Sequence, residues 1–344
     1  MRHAVVALAL AFGLHASSPR ADDVPAAAYR QATEGRFDEA AATLEQEAAG
    51  ARDAARANAL RELALTYRVA LGDFALAWRN AQALTGDPER AAEAELEAAE
   101  VLTRARRWAE GARFHAAWLR RHGRASAGLR GRALVALGDA LRESGNVSAA
   151  EAAYRRAAAL TRPGEPQEAW SAAARFWVAE AAHRAFMARR MPTFRGVTRR
   201  AYDVWVQREL TPFIQEQIRL LRGDLTRAYT EVVNHHAPRW EVAAYQRLAS
   251  MFYRFHVYVR SAPLPPEFVR HPELMEAYES LICRDPQDGV LDVATEGYRR
   301  CLHVATRLRE ANEFSRACEA ELHAIDPGRF PLADEIAPLS DQGL

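Results

Sequence analysis

"ALVALGDALRESGNVSAAEAAYRRAAAL" occupies residues 133–160 and decides how the rest of the chain is read. Its apolar residues recur at helical spacing on both sides of a Ser-Gly-Asn break at 144–146, so two helices meet at a tight turn. Gly138 stands inside the first of them, where glycine is roughly 1 kcal/mol less favourable than alanine. Twelve residues on comes a second small residue, Ala150, and one turn further the large ring of Tyr154. The missing side chain serves either the close approach of a second helix or the close approach of a ligand.

The break recurs. "GRFDEA" (35–40), "GDFALA" (72–77), "RRWAEG" (106–111) and "GNVSAA" (145–150) share a turn, a large apolar residue and a small residue at matching places, at intervals of 37, 34 and 39 residues. Ala- and Leu-rich helical segments flank each one, which makes four helical hairpins. Gly35, Gly72 and Gly145 then fall at helix ends that need a left-handed backbone. Recurrence decides the question about Gly138 in favour of helix packing.

This pattern resembles the tetratricopeptide repeat over residues 24–163. The small residue late in that repeat's first helix falls on Ala28, Ala99 and Gly138, and the one early in its second helix on Ala40, Ala77, Gly111 and Ala150. The larger residue one turn on is Leu44 or Tyr154. Leu65, Ala81 and His115 depart from the pattern. The resemblance implies an all-α solenoid of antiparallel hairpins whose first helices line a concave inner face. In this register that face carries Tyr29, Glu62, Thr66, Glu93, Leu96, Glu100, Arg132, Val135, Asp139 and Arg142. Some members of the family clamp a C-terminal carboxylate with Lys, Arg and Asn at such places. Here acids dominate the middle with few basic residues to neutralise them, so the expected occupant is an extended protein or peptide segment of basic character.

Beyond "TRPGEPQ" (161–167) the tidy repeat stops, but helical periodicity continues over 168–190, 198–209, 212–234, 238–260, 272–283 and 290–324. Pro212 and Pro238 stand where helices can begin. The C-terminal half reads as longer, degenerate hairpins. "APLPPE" (262–267), "YRRCLHVA" (298–305), "NEFSRACEAEL" (312–322) and "DPGRFPLADEI" (326–336) together resemble the C-terminal region of large exported repeat proteins of myxobacteria and their relatives. Some of those are tied to envelope and gliding-motility machinery.

At the other end, Met1-Arg2-His3, the apolar run Ala4–Leu14 and the polar "HASSPRADD" (15–23) have the layout of a secretory signal peptide. The run is too short to span a membrane. Export to the periplasm is the expectation. The organisation is then a signal peptide over 1–21, four hairpins over 22–165, degenerate repeats over 166–328 and a tail over 329–344. Cys283, Cys301 and Cys318 are spaced by 18 and 17 residues, which fits no zinc or CxxC pattern. A bend near 309–310 lets Cys301 and Cys318 face each other, either as a disulfide in an oxidising compartment or as two buried thiols.

All 46 basic residues are Arg, yet the net charge is only +1 and no basic block appears, so a nucleic-acid partner is not expected. No GxSxG, GxxxxGK, HExxH or strand-linked GxGxxG occurs, and no catalytic residue, metal or cofactor is assigned. His235-His236 are neighbours that point apart on a helix; the simpler reading is a solvated helix C-terminus that favours imidazolium. The aromatic residues from Trp240 to Tyr258 read as core rather than as a stacking platform. The expected function is an exported scaffold for protein interactions in the bacterial envelope. Alternatives are an assembly chaperone or cell-wall adaptor, and a helical cell-wall enzyme for which no single glutamate stands out.

Overall fold

A computed structural model of the chain describes residues 24–161, 169–196, 198–261, 270 and 288–332. Among the described residues the regular elements are all helices and there is no strand. The signal-peptide region, "APLPPE", the helix expected over 272–283, Cys283 and residues 333–344 lie outside them. The chain divides into two compact units, Met1–Leu160 and Thr161–Leu344.

In the first unit four hairpins follow one another: α1 (Ala26–Thr33) with α2 (Phe37–Gly50), α3 (Ala54–Leu71) with α4 (Phe74–Gln82), α5 (Pro88–Arg104) with α6 (Trp108–Arg121), and α7 (Ala127–Glu143) with α8 (Val147–Ala158). All four breaks use one turn. The amides of Arg36, Asp73, Arg107 and Asn146 donate back five residues to the carbonyls of Gln31, Arg68, Leu102 and Leu141, at 2.8–3.0 Å. That closure needs a residue at positive φ, supplied by Gly35 (78°), Gly72 (80°) and Gly145 (83°), and in the third hairpin by Arg106 (54°). A non-glycine residue there costs about 1–2 kcal/mol, which the third hairpin bears for the same geometry. Asp53, Asp87 and Ser126 cap the N-termini of α3, α5 and α7, and Asn146 caps α8.

The small residues let neighbouring helices touch. Ala28, Ala40, Ala77, Ala99, Ala150, Gly111 and Gly138 are all buried, and Tyr154 fills the space beside Gly138. The second hairpin exchanges sizes: Leu65 stands where a small residue was expected and Ala81 where a large one was, and both pack into one cluster. First helices also meet directly, α3 against α5 and α5 against α7.

The second unit contains α9 (Ala169–Ala188), α10 (Arg199–Trp205), α11 (Thr211–Leu220), α12 (Thr226–Val233), α13 (Pro238–Arg260), α14 (Asp288–Leu308) and α15 (Glu313–Ile325). Pro212 does not begin a separate helix. Two π-helical turns, Val206–Leu210 and Leu221–Leu225, join α10, α11 and α12 into one run. The wide turn just before Pro212, where the Thr211 amide reaches back to the Val206 carbonyl, accommodates the missing N–H and the ring.

The core of this unit gathers Phe176, Phe186, Tyr229, Met251, Tyr298, Phe314 and Leu322. Tyr245, Phe252, Tyr253 and Trp240 pack against it, and Phe255 belongs to it, so these rings of α13 are core. A buried carboxylate, Glu180, accepts from the Tyr229 hydroxyl at 2.6 Å and from Arg247 Nε and Nη2 at 2.8 and 3.2 Å. The α14–α15 hairpin turns at Arg309 (φ 54°), where the Glu310 amide reaches the Ala305 carbonyl at 2.8 Å, the same five-residue closure as in the first unit. Across it Cys301 and Cys318 form a disulfide with Cα atoms 6.5 Å apart.

Candidate functional site

The expected inner face follows α1, α3, α5 and α7, and its centre is one guanidinium that the sequence reading overlooked. Arg90, in the first turn of α5, donates through Nε to Glu62 at 2.9 Å and through Nη1 to Glu93 at 3.0 Å and Glu97 at 2.9 Å. Arg132 of α7 donates to the other oxygen of Glu93 at 3.0 Å. Partial burial disfavours the Arg90 charge, but the hydrogen bonds and charges of Glu97 and Glu62 outweigh it and raise its pKa. Two guanidiniums thus stand among three carboxylates, which corrects the expectation of an acidic wall with few basic residues to neutralise it. Glu93 is part-buried in this network rather than freely exposed. Glu100 is exposed and pairs one turn on with Arg104 at 2.9 Å.

Two other expected surface residues, Leu96 and Val135, are buried. Thr66 turns its hydroxyl to the Glu62 carbonyl at 3.1 Å. Asp139 accepts from the Tyr154 hydroxyl at 2.7 Å, and Arg142 stands by the same hydroxyl, so this pair anchors the hairpin that Gly138 closes. Tyr29 is 59 % exposed on α1. The structure thus brings Glu62, Glu93 and Arg132 together around Arg90, and ties Asp139 and Arg142 to Tyr154.

Next to the Arg90 cluster lies a small pocket of about 100 Å³ lined by Leu96, Glu100, Thr103, His115, Arg132 and Ala136. Its lining mixes the apolar Leu96 and Ala136 with four polar side chains. His115 is 3 % exposed, its Nδ1 is enclosed without a hydrogen-bond partner, and burial pushes its pKa down to about 4. It is therefore a neutral imidazole at pH 7. The departure of His115 from the repeat pattern was the signal for this pocket.

Of the two adjacent histidines, His236 is exposed at the helix end as expected, and His235 is not. His235 is buried rather than solvated, and burial pushes its pKa down to about 4, aided by Arg175 and His236. The helix C-terminus favours a cation, but enclosure dominates. His236 takes a positive φ of 52° in the turn before α13. Among the described residues no group of three His, Cys, Asp or Glu is placed to hold a metal ion, and no helix is long and apolar enough to cross a membrane.

Set beside known proteins, the chain matches no family model, and no characterised protein and no solved structure is significantly similar to it.

Proposed function

We propose that this chain is an exported scaffold, built of tetratricopeptide-like hairpins, that holds a protein or peptide partner in the bacterial cell envelope. The observation that carries the reading is the direct stacking of the first helices α3, α5 and α7, which sets charged groups of both signs around a pocket on one continuous face. Stacked hairpins present such surfaces for extended segments. The pairing of Arg90 and Arg132 with Glu62, Glu93 and Glu97 changes the expected partner. A face of paired charges selects by hydrogen bonds and fit rather than by net charge, so a strongly basic segment is no longer favoured.

The test is affinity purification from the native envelope with the full chain. Ala136→Trp, which fills the pocket, is expected to lower recovery of the co-purifying partner at least tenfold without lowering helix content. Arg155→Trp, on the exposed side of α8, is the control. Equal recovery with both variants rejects the face as the binding site. Export is tested separately: N-terminal sequencing of periplasmic material is expected to begin between residues 16 and 23, and an intact Met1 rejects it.

A further inference from the structure

The second unit carries a larger depression, of about 590 Å³, between the segment 193–196 and the helical run that starts at α10. Ala201, Val204, Trp205, Arg208 and Glu209 line it from the helix, at the spacing of one helical face. Phe194 and Trp205 give it an aromatic floor, with ring centroids 5.5 Å apart, and the buried Tyr202 ring packs against both at 5.3 and 5.5 Å. Gly196 lets the segment lie this close, since a Cβ there would stand 2.7 Å from the Phe194 ring and 2.8 Å from Ala201 Cβ. Val204 is 45 % exposed at its edge.

Several arginines of the molecule are neutralised where they stand. Arg90, Arg132, Arg219 and Arg247 all sit against carboxylates. Arg195 and Arg208, both exposed, have no hydrogen bond or ion pair among the described residues, and neither does Glu209. Two unpaired guanidiniums therefore border an aromatic floor, with one carboxylate to offset them.

We propose that this depression binds a small organic anion with one phosphate or carboxylate group on an apolar body. The guanidinium fork matches both groups and is weakly enough hydrated to bind them beside an apolar surface. The volume lies in the range of small-molecule sites. The apolar body rests over Phe194 and Val204, and Glu209 leaves a net charge of one, which suits a single anionic group rather than a polyanion. The site is independent of the first-helix face of the other unit and does not rest on the function proposed above.

The test is a titration of the full ¹⁵N-labelled chain with phenyl phosphate, benzoate, benzyl alcohol and inorganic phosphate. The readout is the indole signal of Trp205, assigned through Trp205→Phe. Phenyl phosphate or benzoate is expected to shift it and to bind at least tenfold tighter than benzyl alcohol or inorganic phosphate. The double variant Arg195→Gln/Arg208→Gln is expected to lose at least tenfold in affinity, and Arg200→Gln to lose nothing. Equal binding of benzyl alcohol reduces the site to an apolar depression and overturns the proposal. Equal binding of inorganic phosphate, or unchanged affinity in the double variant, overturns it too. Binding only to vesicles of phosphatidylglycerol, and not of phosphatidylcholine, overturns it in favour of a lipid surface. Should the double variant fail to fold, the ligand series on the unaltered chain decides alone.

Discussion

A Cβ on Gly138 would stand 2.7 Å from Cζ and 2.8 Å from Cδ1 of Tyr154, so the ring occupies the space an alanine needs. The ring cannot swing aside without cost, because its hydroxyl donates to Asp139 at 2.7 Å. Gly138→Ala is expected to destabilise the chain by about 1–3 kcal/mol through overpacking, less the ~1 kcal/mol gained in helix propensity. Tyr154→Leu in the same background should recover part of the loss. Urea melts of the three variants check this, and a melt unchanged by Gly138→Ala refutes the tight contact.

The pair of buried Glu180 and part-buried Arg247 behaves differently when halved than when removed. Arg247→Met leaves the Glu180 carboxylate enclosed with the Tyr229 hydroxyl as its remaining short hydrogen bond, and should cost about 3–5 kcal/mol. Glu180→Gln added to it should restore much of that stability. A double-mutant cycle measures the coupling, and additive losses would show that the two groups do not depend on each other.

Thiol titration of denatured, unreduced protein is expected to find one reactive cysteine of the three, because Cys301 and Cys318 are joined. Reduction, or the double change to alanine, should lower stability by about 2–4 kcal/mol for a loop of this length. Three reactive groups would place both sulfurs in the thiol state.

Acid sensitivity should begin well above the carboxylate range. Burial pushes His115 and His183 down to about 4. As pH falls below about 6.5, the unfolded chain takes up protons that the folded chain refuses until about 4, so stability is complete above that window and declines through it. His115→Phe is expected to flatten the decline. Unfolding midpoints at pH 7.5, 6.0 and 5.0 test it, and identical slopes in both proteins would show that His115 is not enclosed.

Local signals carried well from sequence to structure. The four breaks are short-range events, fixed by amide bonds five residues back and, in three of them, by a glycine, and the twelve-residue spacing of small residues is set by one hairpin. The candidate site was less legible because its chemistry is long-range. Arg90 reaches Glu62 across 28 residues and Glu93 meets Arg132 across 39, so a reading along the first helices places Glu62, Glu93 and Arg132 on one face and misses Arg90 between them. Glu180 and Arg247 lie 67 residues apart and look like ordinary surface charges until α9 and α13 pack. Arg106 reads as a solvated charge, since only the backbone shows that it stands in for glycine.

The two π turns make the run from Arg199 to Val233 a shaft with a fixed phase. Each wide turn takes up about one residue more than an α turn, and one residue is about 100° of rotation. Between the Trp205 ring and the Tyr229 hydroxyl the chain is therefore geared. Losing a single residue at either turn would swing Tyr229 by more than a quarter revolution, away from the carboxylate it meets at 2.6 Å. Substitutions along this shaft leave its timing intact, whereas a one-residue deletion at 206–210 or 221–225 decouples one end from the other.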